Sequence, residues 1–178
     1  LQGDYDDFGD NPGPTSKARC EELASIIREL DADVLALQEV ESLEALEWFN
    51  ETYLPEMGYA YAVSKEVGYY RGIEQSVLSR FPISDIQTWT NVDLAKIKRF
   101  GGGWSEIPPD ADDITFQRSP LCVTVNTPEG YEITIFSIHH KAGRDSWRRE
   151  LEALQIVQYI KSMSEDAPDR NIAVIGDF

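Results

Sequence analysis

DADVLALQEVES, Asp31–Ser42, holds the clearest structural instruction in the chain. Its centre, VLALQEV at 34–40, is a near-continuous apolar run of strand length, the pattern of a strand covered on both faces. Upstream, Leu23, Ile26, Ile27 and Leu30 recur at i, i+3, i+4 and i+7, which predicts a helix over Lys17–Leu30 with one buried face; Asp31 and Asp33 break it. Downstream, Ser42 is a helix N-cap with Glu44 in the favourable first turn, opening a helix that runs to about Leu54 before Pro55. Trp48, Phe49 and Tyr53 fall on one face of it and read as core. Helix, buried strand, helix predicts an α/β layered domain.

The pattern continues in shorter units. Strands are expected near 59–64, 74–80 and 83–90. Residues 91–117 are the least regular, with GGG at 101–103 and two prolines at 108 and 109, and are the candidate for a loop near a site. PLCVTVNTPEGYEITIFSIHH, 120–140, contains two alternating runs around Thr127-Pro128-Glu129-Gly130 and predicts a hairpin. Ser146 is expected to cap a last helix with Ala153, Ile156, Val157 and Ile160 at helical spacing, and Pro168 separates it from a closing strand in NIAVIGDF, 171–178. Residues 1–16 read as an irregular acidic lead-in whose Asp4, Asp6, Asp7 and Asp10 fit no calcium loop; 17–178 form the domain. There is no internal repeat.

With 178 residues, 42% of them hydrophobic, the chain suffices for one domain with a core. Sixteen basic against 32 acidic residues leave a net charge of −16, which repels a phosphate backbone unless cations intervene. Cys20 and Cys122 read as buried free thiols. No apolar run approaches the roughly 18 residues of a membrane span, and no basic-then-apolar leader opens the chain, so a soluble protein is expected; the compartment is not encoded. A first residue that is not Met, and a stop directly after GDF, predict a piece of a longer chain.

Three polar residues close apolar strands: Glu39 after VLALQ, His139 after ITIFSI and Asp177 after IAVIG. Singly, each is ordinary, since strand ends are exposed and Gly-Asp is common turn punctuation. Together they place a carboxylate, an imidazole and a second carboxylate where α/β sheets commonly build sites. The set suits metal-assisted cleavage of a phosphate ester. Magnesium takes oxygen ligands and typically one or two protein carboxylates, histidine handles protons near neutral pH, and a second carboxylate orients water.

The blocks DADVLALQEVES, RGIEQSVLSRFPI, FSIHHKAG and NIAVIGDF, in this order and at similar spacing, resemble those of the endonuclease/exonuclease/phosphatase superfamily, the deoxyribonuclease-I-like fold, from about Pro12 to Phe178. The resemblance implies an α/β sandwich of two sheets flanked by helices. It implies Glu39 as the principal metal ligand, His139 as the catalytic histidine with His140 its neighbour, and Asp177 as a residue that binds or orients the nucleophile and phosphate. The implied cofactor is Mg2+, with Mn2+ or Ca2+ as alternatives. Arg71 and Lys141 are candidates for phosphate contact, each with a solvated loop role as an equal alternative. Glu74 is a weaker candidate to orient His139, and Arg80 and Arg118 are expected to be structural.

The chain departs from the family's pattern at both ends. Members usually begin with a strand carrying an Asn that supports the metal site, follow GDF with Asn, and end with an Asp-His block. An incomplete domain is therefore expected, with unpaired sheet edges that invite self-association. The implied activity is metal-dependent phosphoesterase, nuclease-like, acting on a phosphodiester or phosphomonoester in nucleic acid, a phosphorylated small molecule or a lipid headgroup. The alternatives are a catalytically inactive fragment acting by binding, or an unrelated acidic α/β binding module.

Overall fold

Ser16 and Ser42 each start a helix by the same local chemistry, a hydroxyl that accepts a backbone N–H of the first turn, from Arg19 at 3.3 Å and from Ala45 at 3.2 Å. These and all other contacts come from a computed structural model that describes residues 15–68, 72–99, 105–111, 114–143 and 145–178. Helix α1 (Lys17–Leu30) ends where Asp31 turns left-handed, at φ 45°, and returns its N–H to the Ile27 carbonyl. Strand β1 (Val34–Val40) and helix α2 (Leu43–Tyr53) follow. Next come β2 (Tyr61–Glu66), β3 (Glu74–Ser79), β4 (Ile83–Thr88), β5 (Leu121–Asn126), β6 (Glu132–His139), α3 (Ser146–Asp166) and β7 (Asn171–Asp177). The hairpin expected at 127–130 joins β5 to β6, closed by a 3.0 Å bond from the Gly130 N–H to the Thr127 carbonyl. The acidic lead-in lies outside the described residues except for Thr15 and Ser16.

The strands form two sheets, β1-β3-β2, wholly antiparallel, and β4-β5-β6-β7, in which only β6 and β7 run parallel. Val63 and Val77 of the first sheet pack against Leu121, Val123, Val125 and Ile135 of the second. A second core lies between the first sheet and helices α1 and α2, with Leu35, Leu78, Leu46 and Phe49 at its centre. A third joins Cys122, Phe136 and Ile138 to Trp147, Leu151 and Ile156 of α3. The expected two-sheet sandwich flanked by helices is what the chain forms.

Three expectations are corrected. The buried face of α1 is Cys20, Ala24 and Ile27, whereas Ile26 and Leu30 are exposed; the period holds, but small residues let the helix lie close to the sheet. In α3 the buried positions are Trp147, Glu150, Leu151, Glu152 and Ile156, and Val157 faces outward. Ser146 is the first helical residue, not the cap, and its hydroxyl bonds that of Ser105. The described parts of 91–117 contain no helix or strand, yet Leu94 and Phe116 are buried in the α3-side core. The described residues of this stretch thus cover that core, and Gln117 at its end donates its N–H to Glu152.

Candidate functional site

Strand alternation decides which side chains meet. In β6, Ile135 faces the other sheet and Phe136 and Ile138 face α3, so His139 points between the sheets and His140 toward the helix. In β7, Ile172 and Val174 face α3, which puts Asp177 on the same side as His139. The parallel register sets His139 opposite Asp177. Gly176 makes this close approach feasible: at φ 139°, any Cβ there would collide with the Ile138 carbonyl.

Glu39 reaches the same place by breaking the alternation. Gln38 faces the second sheet and donates to the Ser137 hydroxyl at 3.1 Å, so a regular strand would turn Glu39 toward the helices. The register instead shifts between Gln38 and Val40, and Glu39 takes a left-handed φ of 57°. Val40 then joins the helix-side core, and Glu39 is released toward β6. A bulge with a non-glycine residue at positive φ costs about 1–3 kcal/mol and recurs beside functional sites.

His139 Nε2 consequently lies 3.9 Å from Glu39 Oε1 and 3.7 Å from Asp177 Oδ2. The imidazole is 8% exposed, while the Glu39 and Asp177 side chains are 56% and 71% exposed. Burial lowers the pKa of His139 below the ordinary imidazole value and Arg118 adds to the effect, with Glu39 and Asp177 opposing. Its Nδ1 is buried without a hydrogen-bond partner among the described residues. With two carboxylates beside Nε2, the Nε2–H tautomer is favoured, and a neutral donor faces the open side of the cluster.

The other sequence candidates are placed differently. Glu74 lies on the opposite face of β3, beside Ser64 and near Glu44 and Glu66, because Gln75 and Val77 take the inner positions; the structure does not bring it to His139. Lys141 directs its ammonium to Asp145, 3.3 Å away, and to the Ala142 carbonyl. Arg71 lies outside the described residues. Arg80 bonds Asp31, Asp33 and the Met57 carbonyl, a structural tie at the opposite end of β3.

Sequence reading missed Glu152, whose side chain is fully buried and holds His140 Nδ1 at 3.2 Å. Its signal was there, an acid next to Leu151 on the buried side of a helix, but the helical spacing of Ala153, Ile156, Val157 and Ile160 had defined the buried face by apolar positions alone, of which only Ile156 is buried beside it. Arg118, expected to be structural, also reaches the site by donating to the His140 carbonyl at 3.2 Å.

The sequence matches the Endonuclease/Exonuclease/phosphatase family over residues 8–178. The chain belongs to this family. Solved structures agree on the fold. The human Nocturnin catalytic domain, determined with a bound sulfate anion, superposes with a TM-score of 0.62 at 14% identity, covering 92% of this chain and 57% of that one. TDP2 from Caenorhabditis elegans gives 0.58 at 12% identity, covering 90% and 41%. ANGEL2, a 2',3'-cyclic phosphatase, gives 0.59 at 17% identity, covering 87% and 41%. The chain thus spans between 41% and 57% of the length of these structures. No curated protein matches the sequence. No helix among the described residues is long and apolar enough to cross a membrane.

Whether the residues of this family member fit a metal is decided by their donors. Among the described residues no group of three or more His, Cys, Asp or Glu side chains is gathered to hold an ion by itself. A hard cation does not need such a cage, since magnesium keeps several waters and takes one or two carboxylates. Glu39, more than half exposed and turned by its bulge toward Asp177 and His139, meets that requirement.

Proposed function

We propose that Glu39, His139 and Asp177 form the acting part of a metal-dependent phosphoesterase site, nuclease-like in kind, hydrolysing a phosphodiester or phosphomonoester. The observation that carries this reading is the convergence of two exposed carboxylates on the Nε2 of one buried imidazole. Family membership supports the same chemistry. Glu39 would hold Mg2+, or Mn2+ or Ca2+ in its place. When bound, the cation offsets the charge that grows on the phosphoryl oxygens.

The chain's own residues do the rest. His139, kept neutral at pH 7 by burial, donates Nε2–H to a phosphoryl oxygen lying between the carboxylates. Asp177 accepts a hydrogen bond from the attacking water and orients it. Lys141 would reach phosphate only by leaving Asp145. A net charge of −16 makes binding of a polyanion depend on the cation, so a small phosphate ester suits the site as well as nucleic acid.

The test is hydrolysis of bis(4-nitrophenyl) phosphate and 4-nitrophenyl phosphate with magnesium or with chelator, by the parent, Glu39→Gln and His139→Ala. Release of nitrophenol that needs magnesium and is lost in both variants supports the reading. An inactive parent supports the alternative of a noncatalytic remnant, and activity unchanged in both variants places the chemistry elsewhere.

A further inference from the structure

The residue after His139 is held more firmly than a loop requires. The His140 N–H donates to the Asp177 carbonyl at 3.0 Å, and its own carbonyl accepts from Arg118. The next N–H, of Lys141, donates to Glu152 Oε2 at 3.0 Å, and the Lys141 carbonyl accepts from Arg149 at 2.9 Å. Glu152 also receives the Gln117 N–H on Oε1 at 2.8 Å and meets His140 Nδ1 on Oε2. One carboxylate in α3 therefore ties together the exit of β6, the segment carrying Arg118, and the helix itself.

A fully buried carboxylate is costly to desolvate, and replacing such groups with apolar ones often stabilises a protein, so stability alone is a poor reason for it. Its position supplies another. His140 directly follows His139 at the exit of β6 and donates its backbone N–H to the Asp177 carbonyl. The peptide between His139 and His140 therefore carries both the His139 side chain and the hydrogen bond to Asp177, so a displaced His140 backbone would disturb both. With Gln117 and Lys141 N–H groups as donors, Glu152 is an acceptor, which assigns the proton of His140 to Nδ1.

We infer that Glu152 is a positioning residue which, by fixing the tautomer and orientation of His140, sets the imidazole of His139 against Asp177. The inference rests on His139 and Asp177 being the acting pair, but its effect is read at the His139 ring and not from turnover.

The chain contains two histidines, so long-range 1H–15N spectra of the imidazoles hold two spin systems, and His139→Ala assigns them. In the parent, His140 shows the Nδ1–H form. Glu152→Gln keeps the shape and one acceptor oxygen; it shifts the His139 resonances as well as those of His140, and Glu152→Ala shifts them further. Circular dichroism establishes that each variant is folded, and if the alanine variant is not, the glutamine variant decides. His139 resonances identical to the parent's in folded Glu152→Gln, or an Nε2–H form of His140 in the parent, would overturn the assignment. Absence of phosphoesterase activity leaves this outcome untouched, which separates its failure from that of the functional reading.

Discussion

His139 and Asp177 stand opposite each other at the last rung of the parallel ladder between β6 and β7, with Nε2 3.7 Å from Oδ2. Their neighbours, Ile138 and Gly176, form the preceding rung, and the glycine has no side chain to hold the strands apart. Gly176→Ala forces a Cβ against the Ile138 carbonyl at a φ that L-residues rarely adopt. The variant is expected to lose more than about 2 kcal/mol of stability, measured by urea denaturation. A midpoint equal to the parent's contradicts the ladder described.

Glu39 occupies its bulge with a side chain 56% exposed, so its carboxylate contributes little to folding. Glu39→Gln is expected to change stability by less than about 0.5 kcal/mol, the usual range for surface substitutions. In the same variant, magnesium-dependent hydrolysis is expected to fall by about two orders of magnitude or more. Thermal melting beside a hydrolysis assay checks both halves.

Glu74 offers a prediction with the sign fixed in advance. Burial raises its pKa above the ordinary 4.5, with the Ser64 hydrogen bond opposing. The folded protein therefore binds this proton more tightly than the unfolded chain. Its contribution to stability is full below 4.5 and is lost as pH rises through the higher folded value. Glu74→Gln should gain on the parent between about pH 4 and 7, measured as the difference in urea midpoints. A difference constant over that interval would be the wrong result.

Legibility of the chain followed the range of the forces involved. The bounds of α1, β1, α2 and the β5–β6 hairpin were readable because periodicity, caps and turn residues are local. Glu39, His139 and Asp177 were readable as strand-end residues, since an apolar run ends visibly in sequence. Their grouping was expected from the strand ends and the block resemblance, but the geometry that achieves it was not legible, because it depends on a sheet-to-sheet register and on a bulge that has no glycine to announce it. Ile26, Leu30 and Val157 misled for the same reason: spacing gives a helix's period, while the face that is buried depends on what packs there. Glu152 was hidden because a buried acid is recognisable only by its partners, here backbone groups of distant segments.

Burial raises the thiol of Cys122 to about 12 and that of Cys20 above its usual value. Both cysteines are free and buried. Neither should react with Ellman's reagent in the folded protein near pH 8, where thiolate is scarce, while denaturation should release two thiols per chain. Rapid labelling without denaturant would contradict the burial of both.

Among the described strands β7 is an edge, Ile175 is exposed on it, and Phe178 is exposed where it lines, with Ile138, Ile156, Val157 and Val174, an apolar groove of about 230 Å³. Made alone, this chain is expected to self-associate through that edge. Size-exclusion chromatography should show species larger than its 20.1 kDa, and a stable, compact monomer is the contrary result.

The central claim is that Glu39 holds a divalent cation next to His139. Mn2+ can stand in for Mg2+ and broadens the resonances of nearby nuclei, so a titration of 15N-labelled protein at substoichiometric Mn2+, observed at the two imidazoles, tests it most directly. The account predicts early loss of the His139 signals in the parent and their survival in Glu39→Gln at the same Mn2+ concentration. Signals that persist in the parent, or that vanish equally in the variant, would contradict it.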